Sequence, residues 1–494
     1  MFVKNERVEM CMSSKANAGK SKDVRYYIHS AIAIGIMVFA RFIPVQYPFT
    51  QGGMLVLGVL VGMIYSFVNG NLFWGSIIAL LMVGASDVTS VGAVLSSAMS
   101  NGTFMFLLAL FLFVGHLSNV GFSRVLALKL VQSNVTKGRP WVLTLFLILA
   151  AFLPASVMSV TAVFVMTLPI LYGICDEVGI GRTEKWSVLT AIGIGMACAL
   201  ALAFWPFQVG PAILFGQLES AGAIAEVPFI QYVLFMTVVI GLCLLATVLI
   251  IKLLKPDVSK LYAYTPPEEK VKFNSDQKFA TFLVCLLLVL FIVPQFLPAG
   301  SVPRVFLGQF GPFAIVSFLL AIGAFARKDG KPRIDIASSA SKGLAMWPVL
   351  MMVAAVLTIA DLLTRYDLGF VDFVTLHIGP MFDTGNVLFF IIIVLFVALL
   401  LTTLVQGSLV MIIMMPIMIP IIFLAGFTPM QTVASFSLVV NIGIVLPSGH
   451  PLGAVMHGHE SIGPQAVLKY VPIFMLVFFA IAVIVGVPLG FLIF

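Results

Sequence analysis

The chain has 494 residues, of which 61% are hydrophobic and only 10% are charged, with a net charge of +7 and a mean hydropathy of +1.14. A soluble chain needs about a quarter of its residues charged to cover its surface, so a string of soluble domains is excluded. The composition indicates an all-α polytopic membrane protein solvated mainly by the lipid bilayer, with no nucleic-acid partner. Five cysteines without CxxC or Cys/His spacing predict neither a disulfide framework nor a zinc site.

Residues 1–25 are polar and carry six Lys and Arg residues, too many for a cleaved signal peptide, so we expect a cytoplasmic N-terminal segment. Apolar stretches follow, most of them about 20 residues long, which is the length of a helical crossing. They cover residues 26–44, 52–69, 71–86, 103–121, 141–174, 187–220, 228–254, 279–297, 305–326, 344–363, 387–424, 431–460 and 468–494.

Four of these stretches depart from a simple crossing. Residues 141–174 and 387–424 are too long for one helix and hold small or polar residues at their middle, which favours a re-entrant hairpin or a double crossing. Residues 187–220 are interrupted at Trp205–Pro211, and residues 431–460 at Leu446–Pro451, where proline prevents a continuous helix. The sequence therefore predicts two hairpins and two broken helices.

Orientation follows from the basic residues. With both long stretches counted as hairpins, the chain makes about eleven crossings, and a cytoplasmic N-terminus puts the C-terminus outside. All Lys and Arg residues except Arg41, Arg304 and Arg365 then fall on the inner side. This agreement with the positive-inside rule predicts a multi-pass protein of the inner membrane.

The order of features recurs along the chain. A crossing, a long polar-tipped stretch and a broken helix appear twice, and Pro169 and Pro416 are separated by nearly the same distance as Ala212 and Ala454. We therefore divide the chain into a first helix plus repeat 1 (26–254), a cytoplasmic linker (255–278) and repeat 2 (279–494). Inverted repeats of this kind are typical of secondary transporters, whose substrate site lies near the midplane.

A membrane-embedded enzyme is the alternative of another class. The sequence has no HExxH, GxSxG or Gly-rich loop followed by GK[ST], so we expect neither an enzyme nor an ATP-driven pump. His457, His459 and Glu460 are of metal-ligand types, but alternating His on a short turn more often face water. We expect no metal site and no cofactor.

The hairpin tips and helix breaks leave backbone N–H and C=O groups unpaired at membrane depth, where they must line a polar cavity. Helix N-termini there favour a small organic anion, and freed carbonyl oxygens favour a cation as the alternative. Hydroxyls at these positions either contact the substrate or bond back to a carbonyl four residues earlier. The candidate substrate contacts are Ser159, Thr161, Gln208, Gln406, Ser408, Ser448 and His450.

These motifs resemble the divalent-anion/sodium symporter family of dicarboxylate and citrate carriers. That family has a Ser-Asn-Thr motif at each tip, and the matching triplets here are Ser159-Val160-Thr161 and Gln406-Gly407-Ser408. Its Thr-Pro-Pro-Asn-like segments correspond to Gln208–Pro211 and His450–Gly453. The resemblance adds Val160, Gly407 and Pro451 to the candidate site. It implies a homodimer with a scaffold that includes residues 26–102, and an elevator movement of hairpins and broken helices.

We therefore expect a secondary carrier of di- or tricarboxylates. Since Val160 and Gly407 replace the family's two Asn residues, which help to bind sodium, we expect sodium-independent anion exchange. The alternatives are symport coupled to sodium, symport coupled to protons through His450, and an arsenite or sodium/proton carrier of related architecture.

Overall fold

The structure is a computed structural model that describes residues 24, 26–69, 72–267, 271–298, 301–377, 387–424, 426 and 428–494. Within these ranges the chain is helical apart from loops and one short β-hairpin, which confirms the all-α class. The helices of the first half are α1 (Tyr26–Phe42), α2 (Gln51–Val68), α3 (Leu72–Gly84), α4 (Val91–Ser100), α5 (Gly102–Asn119), α6 (Phe122–Val131), α7 (Pro140–Ala155), α8 (Val160–Val178), α9 (Lys185–Phe204), α10 (Val209–Ser220) and α11 (Phe229–Leu253).

The second half has the same helical character. Its helices are α12 (Ser275–Phe296), α13 (Val302–Phe325), α14 (Ile336–Gly343), α15 (Trp347–Thr364), α16 (Phe370–His377), α17 (Val387–Leu404), α18 (Gly407–Leu424), α19 (Pro429–Val439), α20 (Pro451–Gly458), α21 (Gly463–Ile481) and α22 (Val487–Ile493). Strands β1 (Arg327–Lys328) and β2 (Lys331–Pro332) pair antiparallel through an Asp-Gly turn, with Arg327 opposite Pro332. Asp329 and Gly330 both have positive φ, as a two-residue hairpin turn requires.

Among the described residues, eight helical segments are long and apolar enough to cross a membrane. The described residues also include seven shorter apolar helices. Among these are both arms of the second predicted hairpin and the first arm of the first predicted hairpin. The polytopic class is therefore confirmed, whereas the count of eleven crossings stays a prediction.

The chain forms two compact units. The first lies within residues 1–99 and 351–373, and the second within residues 100–350 and 374–494. In the first unit, the Thr50 hydroxyl donates to the Leu368 carbonyl at 3.0 Å and accepts from the Gly53 amide at 3.1 Å, which caps α2 and ties it to the segment after α15. Phe49 packs there between Phe370 and Phe373.

The second unit contains both predicted hairpins and both broken helices. Its helices α5 and α14 cross at two glycines. A Cβ on Gly115 would overlap the Ser339 carbonyl, and a Cβ on Gly343 would overlap the Phe111 carbonyl. Only glycine allows so close an approach, and the crossing places the end of α14 beside Phe111 of α5, while Asn119 at the end of α5 donates to the Ser338 hydroxyl near the start of α14.

Candidate functional site: the hairpin tips and the helix breaks

The first hairpin consists of α7 and α8, joined by the turn between Ala155 and Val160. Ser159 precedes the first turn of α8, and its side chain accepts no capping hydrogen bond there. Val160 is buried, whereas Ser159 and Thr161 are partly exposed. In the part of the chain that the structure describes, neither of these two hydroxyls bonds to another protein group. The tip therefore presents two hydroxyls without a protein partner among the described residues.

The first helix break docks on this tip. The indole N–H of Trp205 donates to the Ser156 hydroxyl at 3.2 Å, and the Gln208 amide donates to the Ser156 carbonyl. The Ser156 hydroxyl itself donates to the Leu153 carbonyl at 2.8 Å. The structure thus places Gln208 beside the first tip. Its side-chain amide bonds to the Ser156 carbonyl of that tip instead of pointing into an open cavity.

One freed carbonyl at the first break has an identified partner. The Tyr232 hydroxyl, which is fully buried on α11, donates to the Ala203 carbonyl at 2.7 Å and lies 2.9 Å from the Ser437 hydroxyl. An unpaired carbonyl at this depth would cost several kcal/mol by rough estimate. Tyr232 removes that cost and links α9 to α19. Composition and periodicity contain no signal for this contact.

The second hairpin tip docks on the second break through its backbone. Gly407 begins α18 directly against the Val440 carbonyl, where a Cβ would overlap the carbonyl oxygen. Gly443 and Gly449 lie equally close to Thr402 on the other arm. Helix α19 already ends at Val439, so this break spans residues 440–450 and begins earlier than the predicted interruption at Leu446–Pro451. No proline lies at this end of the helix, where the Asn441 side-chain amide instead donates to the Ser437 carbonyl at 2.7 Å.

The remaining candidates surround this second tip. Gln406 and Ser408 are partly exposed, and the Ser408 hydroxyl, like those of the first tip, has no bonding partner among the described residues. Ser448 and Pro451 are exposed. By contrast, Thr402 and Thr403 bond back to carbonyls of their own helix at 3.0 and 2.7 Å. These two threonines bond to carbonyls three residues earlier, whereas Ser408 makes no bond to a carbonyl of its own helix.

Two histidines have defined roles at the second break. Nδ1 of His450 accepts the Leu452 amide at 3.0 Å and caps α20. Nε2 of His457 lies 2.8 Å from the Val445 carbonyl, to which it can only donate. His457 is therefore partly buried against the break, where the sequence suggested a side chain that faces water. Over the described ranges, no group of three His, Cys, Asp or Glu side chains is placed to hold a metal ion.

The two repeats also contact each other. Helix α10 packs on α18, and α20 packs on α8, so each broken helix lies beside the second arm of the other repeat's hairpin. Gly210 of the first break is adjacent to Met411 of α18 and to the Asn441 side chain of the second break. No hydrogen bond between described residues joins the two tips, and a single site shared by all the candidates stays a prediction.

A cavity of about 350 Å³ opens beside the first tip. We call it the tip-1 cavity. Its polar lining consists of Ser118, Ser123, Arg124, Ser159 and Lys342. Arg124 and Lys342 are exposed, and neither forms an ion pair with a described carboxylate.

The tip-1 cavity has the chemistry of an anion site. Two cationic side chains and the N-terminus of α8 supply positive potential, and serine hydroxyls supply donors to carboxylate oxygens. Sequence reasoning used Arg124 only to assign orientation, although it lies on the amphipathic tail that precedes the hairpin. Lys342 had no signal, because only the glycine-mediated crossing of α5 and α14 brings it here.

A family model and several solved structures match the chain. The citrate transporter family (CitMHS) matches residues 71–329, more than half of the chain. The YdaH transporter of Alcanivorax borkumensis has a similar fold, with a TM-score of 0.56 and 14% identity over 88% of this chain and 98% of that one. MtrF of Neisseria gonorrhoeae, described as illuminating a class of antimetabolite efflux pumps, gives a TM-score of 0.55 and 14% identity over 92% and 96%. At such identity the likeness concerns the fold alone. No curated protein sequence matches the chain.

Proposed function

Because the chain belongs to the citrate transporter family, we propose that it carries small di- or tricarboxylate anions by sodium-independent exchange. The protein is a membrane transporter rather than an enzyme, as the sequence predicts. The tip-1 cavity supports the proposed substrate class, because Arg124, Lys342 and the unpartnered Ser159 hydroxyl all line it. A ligand with two or three carboxylates satisfies both cations and the hydroxyl at once, whereas a neutral solute leaves them unused.

Two observations at the tips support a transporter without sodium. Val160 presents a buried apolar side chain, and Gly407 has no space for any side chain because the Val440 carbonyl lies against it. Sodium in a protein site needs several oxygen ligands, and neither position supplies a side-chain oxygen. Exchange then follows as the proposed mode, in which the loaded carrier reorients in both directions and the anion gradients drive transport.

Docking of tips on breaks supports an elevator movement. Ser156 binds both Trp205 and Gln208, and the second tip is packed backbone to backbone on its own break. Each tip and break therefore forms one rigid piece, and the cross-repeat packing of α10 and α20 joins the two pieces. Movement of such a body as a whole preserves these contacts, whereas opening of a tip alone breaks them.

Location and assembly complete the proposal. We place the protein in the inner membrane with the N-terminus in the cytoplasm and the C-terminus outside, so that the tip-1 cavity faces the cytoplasm. Membership of the divalent-anion/sodium symporter family, and a homodimer through scaffold helices that include residues 26–102, belong to the same proposal. Labelling of single cysteines introduced at Lys137 and at Gly222 in intact cells tests the orientation. Only the second should react with an impermeant maleimide.

The central experiment is counterflow of labelled citrate in proteoliposomes. Uptake should require preloaded unlabelled citrate, and Arg124→Gln and Lys342→Gln should each raise KM roughly fivefold, because one exposed charge contributes about 1 kcal/mol. Lys137→Gln, an exposed basic residue that does not line the tip-1 cavity, is the matched control. An unchanged KM in both cavity variants excludes this cavity as the substrate site, and failure of all di- and tricarboxylates excludes the proposed substrate class.

A further inference from the structure

A second and larger cavity, of about 580 Å³, lies at the other end of α5. It is bounded by the start of α5, the first break, α10, the start of α11, α12 and α13. Its lining includes Asn101 at the start of α5, while the tip-1 cavity includes Ser118 near the end. At 1.5 Å per residue, these two positions are roughly 25 Å apart along the helix axis. The two cavities are therefore separate sites.

The wall of this second cavity is aromatic. Its six phenylalanines are Phe106, Phe207, Phe215, Phe229, Phe291 and Phe313. The rings of Phe229 and Phe291 are parallel within 2° with centroids 5.2 Å apart, and Phe207 stacks on Phe291 at 5.7 Å. Because these rings cover one another's faces, the wall offers mainly apolar aromatic surface, which suits a ligand with apolar substituents.

The charged residues that line the cavity favour a cationic ligand. Glu219, near the C-terminal end of α10, and Glu226, before α11, both line it and are exposed. Among the described residues that line the cavity there is no Lys or Arg, and neither carboxylate forms an ion pair with a described residue. The N-terminus of α5 offers little to an anion, since Asn101 Oδ1 already accepts the Thr103 and Phe104 amides at 2.9 and 3.3 Å. The C-terminal end of α10 adds further negative potential.

We propose that this cavity binds an organic ammonium ion with apolar substituents, at a site distinct from the anion site. Its volume is in the range of small-molecule sites, about 300–1,000 Å³. The phenylalanine wall takes the apolar substituents, and the two carboxylates face the charge. A bare divalent metal ion fits less well, because it prefers a shell of oxygen ligands and the wall consists mainly of rings.

Calorimetric titration of the purified wild-type protein with tetrapropylammonium chloride tests the proposal. We expect saturable binding of one cation per chain, with no binding of propanesulfonate and no displacement by magnesium chloride. Glu219→Gln and Glu226→Gln should each weaken the affinity, and the double variant should weaken it further. Phe291→Ala, which removes apolar ring surface from the wall, should weaken it roughly 10-fold or more.

Glu177→Gln is the matched control, because Glu177 is an exposed carboxylate outside this cavity and should leave the affinity unchanged. Size-exclusion profiles and melting temperatures identify any variant that fails to fold, and citrate exchange in the same variants reports separately on the anion site. Absence of saturable binding to the wild type overturns the proposal, as does equal affinity in the double carboxylate variant. Displacement by magnesium at equal concentration assigns the site to a metal ion instead.

Discussion

At the residue scale, Ser156 joins the first hairpin tip to the first helix break. Its carbonyl accepts the Gln208 amide, and its hydroxyl receives the Trp205 indole N–H while donating to Leu153. The sequence identified Gln208 as a candidate contact, but the structure engages that side chain with the protein. The hydroxyls of Ser159 and Thr161 keep no protein partner among the described residues, and of these two Ser159 lines the tip-1 cavity.

Ser159 supplies the first residue-scale prediction, which rests on the proposed function. Its hydroxyl lines the tip-1 cavity and has no protein partner among the described residues. Ser159→Ala should raise the KM for citrate exchange roughly 10- to 150-fold, since a hydrogen bond to a charged group contributes about 1.5–3 kcal/mol. Ser30→Ala, an α1 hydroxyl bonded back to Tyr26, should behave as wild type. An unchanged KM for Ser159→Ala removes this hydroxyl from the site.

The second prediction at the residue scale concerns His450, which caps α20. Because Nδ1 accepts the Leu452 amide, that nitrogen carries no proton while the cap is formed. Loss of an N-cap costs about 1 kcal/mol, so His450→Ala should lower the melting temperature, whereas His450→Asn, another good cap, should preserve it. The same Asn variant should keep the wild-type pH profile of uptake. A flattened profile between about pH 5.5 and 7.5 would instead favour proton coupling through His450.

At the scale of elements, the two helix breaks differ in how they arise. Pro206 and Pro211 lie at or just after the first break, which has only four residues between α9 and α10. The second break spans residues 440–450 and begins in Val440–Ile444, which contains no proline but includes Asn441 and Gly443, residue types common at helix ends. Its shape comes from the α17–α18 tip, which packs its backbone against it.

A substitution at Gly407 tests whether the second break depends on its packing against the tip. A Cβ at this position would overlap the Val440 carbonyl, so Gly407→Ala should separate the tip from the break and destabilise the protein by about 3 kcal/mol or more. Gly241→Ala on α11, where a Cβ meets no atom within 4 Å, should be tolerated. Thermal melting and the yield of monodisperse protein are the measurements. Wild-type behaviour of Gly407→Ala would show that the tip does not depend on this contact.

Coupling of transport to sodium is a property of the whole molecule. We expect labelled citrate to enter liposomes preloaded with unlabelled citrate at equal initial rates in sodium chloride and in choline chloride, at fixed pH and membrane potential. The physical reason is that Val160 and Gly407 supply no side-chain oxygen to a sodium ion at either tip. Empty liposomes should take up little, because exchange needs a bound anion in each direction. A strong, saturable sodium stimulation would contradict the proposal.

The sequence by itself determined the membrane class, the helical architecture, both hairpins and the site of the first break. These features depend on local properties: apolar length, proline, and polar residues inside apolar stretches. It also located the tip residues Ser159, Thr161 and Ser408, whose hydroxyls the structure leaves without protein partners among the described residues. The orientation and the repeat boundaries remain predictions from the same local patterns.

Only the tertiary structure decided which groups share a cavity. Lys342 reaches the first tip because α5 and α14 cross at Gly115 and Gly343, and Tyr232 reaches the Ala203 carbonyl from another helix. The Val440 carbonyl just after α19 likewise meets Gly407 of a hairpin tip that lies more than 30 residues away in the chain. Such contacts join residues distant in sequence, and hydropathy and periodicity report only on near neighbours. Pairing at a distance is set by close packing, which no single segment encodes.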